Sequence, residues 1–157
     1  MRVDIRAVGR IKASPERELL TQYMDRATGV GRAIGFGPVS ERELDSRTLK
    51  DKSAETQALT SDIPPGALVF ALDETGKALS SLELARTLEQ ARDEGARDAI
   101  FLIGGADGHD RGRLPHGARL LSFGKATWPH KLVRVMLAEQ IYRAASVLAG
   151  APYHREG

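Results

Sequence analysis

Apolar residues recur with three different spacings along the chain, and each change of spacing marks a new element. Over Met1 to Gly9, Val3, Ile5 and Ala7 alternate with polar residues, which predicts a strand with one buried face. Ser14-Pro15-Glu16 is a helix start: a capping residue, a proline with a helix-compatible φ, and an acid near the positive helix end. Leu19, Leu20, Tyr23 and Met24 give that helix its core face, and Gly29 ends it. A weaker strand is expected around Ala33 to Val39. The charged segment that follows has Leu44, Leu49, Ala54, Ala58 and Leu59 at surface-helix spacing.

Pro64-Pro65-Gly66 breaks the chain, and Ala67 to Leu72 is a continuous apolar run of strand length, as in a strand covered on both faces. It ends at Asp73-Glu74-Thr75-Gly76-Lys77. Ser80 with Glu83 forms a capping box for a helix reaching Gly95, packed through Leu84, Ala85, Leu88 and Ala91. Ala99 to Ile103 is a second buried strand, leading into Gly104-Gly105-Ala106-Asp107-Gly108. A last strand is expected over about Arg119 to Phe123. Strands alternating with helices predict an α/β layer fold with a mainly parallel sheet.

The final helix begins after Pro129. Val133, Leu137, Ile141, Ala144 and Leu148 form one stripe, and Leu132, Met136 and Val147 a second beside it. Only a narrow sector carries Lys131, Glu139, Arg143 and Ser146. Such a helix is buried on more than one side, one side in its own core and the other against a partner subunit. The loop before it, Ser122 to Thr127, is thereby held rigid.

The chain has 157 residues, 41% hydrophobic and 28% charged, in keeping with one globular domain over residues 1–157. No apolar run is long enough to span a bilayer, and Arg2, Asp4 and Arg6 interrupt the N-terminus where a signal peptide needs an apolar core. The chain has no cysteine, which removes disulfides and thiolate metal sites and fits a reducing, cytoplasmic setting. A net charge of +2 does not by itself argue for nucleic acid. From Arg111 to Arg134, however, Arg113, Arg119, Lys125 and Lys131 occur with no acid among them, either a solvated face or a patch for phosphates.

Ligands of open α/β sheets sit beyond the carboxyl ends of the strands. Three such ends are rich in small residues here: Leu72 to Lys77, Gly104 to Gly108 and Phe123 to Trp128. Their likeness points to one shared pocket. Gly104-Gly105-x-x-Gly108 is neither the dinucleotide fingerprint nor a phosphate loop. Asp73, Glu74 and Asp107 are either bases, ribose ligands or turn formers. His109, His116, His130 and His154 lack metal-ligand spacing, so no metal is assigned, and no serine-hydrolase elbow is present. Pro152-Tyr153-His154-Arg155 sets a phenol, an imidazole and a guanidinium side by side, either a frayed end or a trio able to stack on a base, hold a phosphate and move a proton.

Taken together, ALDETGK, FLIGGADG, LSFGKATWPHKLVRVMLAEQIYRA, the terminal PYHRE and the opening VDIRAVGRIK resemble the ribosomal RNA large subunit methyltransferase H family, of the SPOUT class. The resemblance implies a layered α/β fold with a parallel-rich sheet and a C-terminal trefoil knot, the cofactor-binding knot region covering approximately residues 67–157. It also implies a cytoplasmic homodimer that uses S-adenosylmethionine to methylate N3 of a pseudouridine in large-subunit (23S) ribosomal RNA on assembled ribosomes. By motif, Leu72, Gly104, Phe123, Gly124, Lys125, Ala126, Thr127 and Trp128 correspond to cofactor positions. Arg134, Arg143, Tyr153, His154 and Arg155 match positions lining the target base, with Arg143, Tyr153, His154 and Arg155 as the catalytic set. Lys125, Lys131 and Arg134 are expected to contact RNA. Two departures stand out: His109-Asp110 and the breaker-rich RGRLPHGAR replace a helix-like run, and Gly124 stands where serine is common. The alternative from another class is a non-catalytic ribosome-binding module that keeps the fold.

Overall fold

The computed structural model describes residues 1–156; Gly157, the last residue of the expected domain, lies outside the described residues. Five strands form one all-parallel sheet: β1 (Arg2–Val8), β2 (Val39–Leu44), β3 (Leu68–Lys77), β4 (Asp98–Ile103) and β5 (Arg119–Leu121), in the order β2-β1-β4-β3-β5. Helices α1 (Pro15–Gly31), α2 (Lys52–Thr60), α3 (Ser81–Asp93), α4 (His130–Ala149) and α5 (Tyr153–Glu156) complete the fold.

Strand alternation divides the core in two. Val3, Ile5, Ala7, Phe70, Phe101 and Ile103 face the larger layer, where α1, α3 and α4 bury Leu20, Leu84, Leu88, Leu137 and Ile141. Val8, Val69, Ala71, Ile100 and Leu102 face the thinner layer, covered by Leu59 of α2 and by Leu114 and Ala118. The apolar runs of β3 and β4 are continuous because both faces are covered.

The capping signals hold in detail. Ser14 Oγ accepts from the Arg17 amide with Pro15 at the first helical turn, and Ser80 and Glu83 close their box reciprocally at 3.1 and 2.7 Å. α1 runs two residues past Gly29 to Gly31, where a side chain would collide with the Phe36 carbonyl oxygen at 2.0 Å.

The strand expected over residues 33–39 begins only at Val39, since Arg32–Ile34 is a 3₁₀ turn. Neither face of β2 shows an apolar stripe. Glu41 and Glu43 point toward α1 and α4, and Ser40 and Arg42 pair with Asp4 and Asp62 on the other side. Leu44 accordingly belongs to this strand and not to the surface helix, which is shorter than its apolar spacing suggests. β3 is longer than its apolar run. A bulge between Leu72 and Lys77 lets both residues pair with Leu121. At Gly76 a Cβ would stand 2.6 Å from the Leu120 carbonyl carbon, so only glycine lets the two backbones approach this closely.

Arg134 is expected on the RNA-facing surface, and the structure places it inside. Its side chain is fully buried, where its guanidinium pairs with Glu41 at 2.9 Å and with Glu43, and donates to the Gly9 carbonyl at 3.0 Å. Arg17 of α1 pairs with the same two carboxylates at 2.7 and 2.9 Å, and Glu43 also accepts from the Ile11 amide. One charged cluster thus joins α1, α4, β2 and the end of β1. Removing its central cation leaves two shielded carboxylates to share Arg17 alone and the Gly9 carbonyl without its donor. Arg134→Ala should lower unfolding free energy by about 3–5 kcal/mol, read from urea denaturation; a loss under about 1 kcal/mol would place the cluster with solvated surface pairs.

Candidate active site

The three small-residue strand ends converge. They wall one cavity of about 260 Å³ at the carboxyl edge of the sheet, between β3, β4 and the loop that enters α4. Leu72, Gly104, Phe123, Gly124, Ala126, Thr127 and Trp128 line it, joined by Ile103, Gly105, Gly108, His130 and Val133. Lys125 is exposed and does not line the cavity, and Lys131 is exposed in the first turn of α4. A larger groove of about 700 Å³ lies at the opposite, amino ends of the strands, and none of the motif residues line it.

Each wall is fixed locally. Ser122 is buried; its amide donates to the Lys77 carbonyl at 3.0 Å and its Oγ accepts from the Gly124 amide at 3.0 Å. Gly124 has φ 103°, a conformation side-chain-bearing residues rarely adopt, so glycine here sets the loop's path. The Trp128 indole N–H reaches the Phe123 carbonyl at 3.4 Å and closes the loop over the cavity. On the second wall, Gly108 N–H donates to Gly105 O at 3.1 Å. A Cβ at Gly105 would lie 2.8 Å from a Glu55 carboxylate oxygen, so α2 braces this turn from behind.

On the third wall, Asp73 accepts from the Thr75 amide at 2.8 Å and from Arg111 at 3.1 Å. Burial raises its pKa, but the hydrogen bonds from Thr75 and Arg111 outweigh burial and leave it below the usual carboxylate range. Of its possible roles, turn formation is the one its contacts fill. Glu55 moves the other way, raised by burial and then by the charges of Asp107 and Asp51.

Two histidines flank the cavity, His109 buried and His130 half-buried. His130 lines it, and its Nε2 is buried with no hydrogen-bond partner. Burial and then the charge of Arg134 lower its pKa and favour neutral imidazole. His109 lies behind Gly104, with its Cε1 3.3 Å from where a Cβ would project. Both of its ring nitrogens are buried without a well-formed partner. Desolvation lowers its pKa, against smaller opposing contributions from the Leu102 backbone, Asp73 and the Leu72 backbone. Residues 109–118 form no helix beyond the 3₁₀ turn Arg111–Arg113, as expected from their glycines and prolines.

Arg143, Tyr153 and His154 form a second cluster. Arg143 donates to Glu139 at 2.7 Å, its Cζ stands 4.7 Å from the Tyr153 ring centroid, and its Nη1 lies 3.3 Å from His154 Nδ1. Arg155 is exposed. The helical rise places Arg143 roughly 15 Å along α4 from Val133 of the cavity. Within one chain Arg143, Tyr153 and His154 do not line the strand-end cavity, although Glu139 lines a neighbouring one with Phe123 and Gly124. His130 and the hub at Glu139 are visible in the sequence but carry no assigned role there; the Glu139–Arg143 spacing of one helical turn is the available signal.

Among the described residues no helix is long and apolar enough to cross a membrane, and no cluster of histidine and acidic side chains is arranged to hold a metal.

A cavity at the carboxyl ends of a parallel sheet, with one wall leading straight into a helix, is where open α/β proteins place their ligands. The sequence profile of the family described as predicted SPOUT methyltransferases matches residues 1–154. Proteins named ribosomal RNA large subunit methyltransferase H are similar along their whole length. That of Maricaulis maris (strain MCS10) is 60% identical over 156 residues, 99% of this chain and 100% of its own. That of Paracoccus denitrificans (strain Pd 1222) is 52% identical over 157 residues, with 99% and 100% covered. That of Dinoroseobacter shibae (strain DSM 16493 / NCIMB 14021 / DFL 12) is 49% identical over 155 residues, with 99% of both covered. The chain belongs to the SPOUT methyltransferase family and is an enzyme of that class.

These two histidines make stability depend on pH. A histidine whose folded pKa is depressed contributes fully above its unfolded value near 6.5, and the contribution is lost as pH falls through the folded value. The melting temperature should therefore fall between pH 7.5 and pH 5, and His109→Leu should flatten that slope. An unchanged slope in the variant would remove His109 as its source.

Proposed function

We propose that this enzyme transfers a methyl group from S-adenosylmethionine to N3 of a pseudouridine in large-subunit ribosomal RNA, acting on assembled ribosomes as a cytoplasmic homodimer. The observation that carries this reading is the convergence of seven of the eight motif residues on one cavity. Full-length similarity to proteins named for ribosomal RNA methylation supports the acceptor. The order of β4, β3 and β5 before α4 is compatible with the C-terminal knot that the resemblance implies.

The cavity fits such a donor. Leu72, Val133 and Trp128 offer apolar walls, the glycines expose peptide groups, and His130 holds an unpartnered ring nitrogen. S-adenosylmethionine supplies an electrophilic methyl group on a cationic sulfonium. A neutral His130 adds no positive charge beside it. The protein's other contribution is to fix the approach of the attacking nitrogen, since in-line displacement gains much from positioning.

N3 of the target loses its proton before attack, and negative charge spreads to the flanking carbonyl oxygens. Arg143 and Arg155 are the donors suited to that charge. Tyr153 is held as a neutral phenol, since burial and then hydrogen bonds with Tyr23 and Glu139 raise its pKa. Proton acceptance thus falls to His154 or to water. The distance of the tail cluster from its own cavity supports a composite site, in which one subunit's tail serves its partner's donor. The exposed Leu132 and the half-buried Met136 of α4 offer an apolar face to that partner. Lys125 and Lys131 remain on the surface for phosphates, whereas Arg134 is committed to the core.

Calorimetry should show S-adenosylmethionine binding to the wild type, weakened about tenfold or more by Trp128→Ala. No binding to the wild type would leave only the non-catalytic module. Ribosomes should be methylated and the naked stem-loop hardly at all; efficient methylation of the stem-loop would refute dependence on the ribosome surface. Arg155→Ala should cost about 10²-fold in kcat, and full activity of that variant on ribosomes would end the electrostatic role of the tail.

A further inference from the structure

We infer that Glu139 is a positioning residue of the methyl-transfer site, holding Arg143 and Tyr153 in a single arrangement and thereby seating the C-terminal segment. The inference rests on the proposed reading of Arg143 and the tail as the acceptor side of the site. One oxygen does most of the holding. Glu139 Oε1 accepts from Arg143 Nε at 2.9 Å, from Arg143 Nη2 at 2.7 Å and from the Tyr153 hydroxyl at 3.0 Å. Its other oxygen accepts from Gln140 Nε2 at 2.8 Å, and Gln140 in turn accepts from Ser81 Oγ at 2.7 Å. The carboxylate is therefore fixed to the start of α3 before it engages the tail.

This is more than a solvated helix pair. The Glu139 and Arg143 side chains are only 18% and 16% exposed. Binding the Nε–Nη2 edge of the guanidinium fixes its plane, which lies against the Tyr153 ring. Nη1 is then turned to His154 Nδ1, and because arginine only donates, that nitrogen accepts. Of five guanidinium N–H groups, three are directed by these contacts, which leaves two, one on Nη1 and one on Nη2, for an anionic acceptor.

Glu139 is the one carboxylate that ties the tail to both Arg143 and the start of α3. α5 spans four residues, far too few for a helix to persist alone. Apart from Glu139, Tyr153 is held by Tyr142, with ring centroids 4.4 Å apart, by the Arg143 guanidinium that Glu139 itself orients, and by the Tyr23 hydroxyl. α4 itself does not need Glu139, since Leu137, Ala138, Ile141 and Ala144 bury its core face. Loss of the carboxylate should free Arg143 and the tail while the helix stays folded.

The test compares Glu139→Ala, Glu139→Gln, Arg143→Ala and the Glu139→Ala/Arg143→Ala double variant in the full chain. Hydrogen exchange at residues 153–155, which needs no substrate, should accelerate in Glu139→Ala and less in Glu139→Gln, with melting temperature and S-adenosylmethionine affinity unchanged. On ribosomes, kcat should fall at least about tenfold in Glu139→Ala and be partly kept by Glu139→Gln, and the double variant should be no slower than Arg143→Ala. Additive losses in the double variant would show that Glu139 does not act through Arg143. Unchanged tail exchange in Glu139→Ala overturns the inference whether or not the wild type methylates ribosomes. A wild type inert on ribosomes, with the tail still loosened by the substitution, would instead fault the proposed acceptor.

Discussion

The candidate active site depends on a close contact between two backbones. Gly76 lets the extension of β3 lie directly on β5, a distance no side chain would permit. That contact fixes where Leu121 ends, and with it where the loop from Ser122 to Trp128 begins. Because β3 also pairs with β4, the same strand brings Leu72 beside Gly104. Three loops separated by up to about fifty residues of sequence thus share one cavity through ordinary strand pairing.

A second constraint places the helix that carries the loop's far end. α4 is anchored by apolar packing along its length and, near its start, by the buried Arg134 cluster. Buried ion pairs are weak sources of stability but strong sources of register, because a wrong alignment leaves charges unpaired. Arg134 has its partners on β2 and its backbone acceptor at the end of β1, so α4 fits the sheet in one register. His130, one turn earlier, is then set at the cavity with its imidazole kept neutral by burial and by that same arginine. The charge network and the strand-end cavity are therefore coupled through one helical turn.

Much of this was legible in the sequence for identifiable reasons. Ser14-Pro15 and Ser80 with Glu83 carry local capping chemistry that needs no tertiary context. The apolar runs of β3 and β4 announce strands covered on both faces. β2 was misplaced because its inward residues are Glu41 and Glu43, whose partners lie on other elements and whose charge mimics a surface segment. Arg134 was misread for the complementary reason: a cation in a basic run looks solvated unless its acids, about ninety residues away, are known. Most of the cavity residues were legible as motifs, whereas His130 and Glu139 owe their significance to what packs around them. Glu139 in particular reads as one more charge on a helix until the tail folds back upon it.

The central claim is that this cavity serves methylation of one nucleotide in the large ribosomal subunit. Mass spectrometry of large-subunit RNA from cells with and without this gene tests it most directly. The account predicts one methylated pseudouridine present with the gene, absent without it, and restored by the wild-type chain. Identical methylation in both RNAs would contradict it.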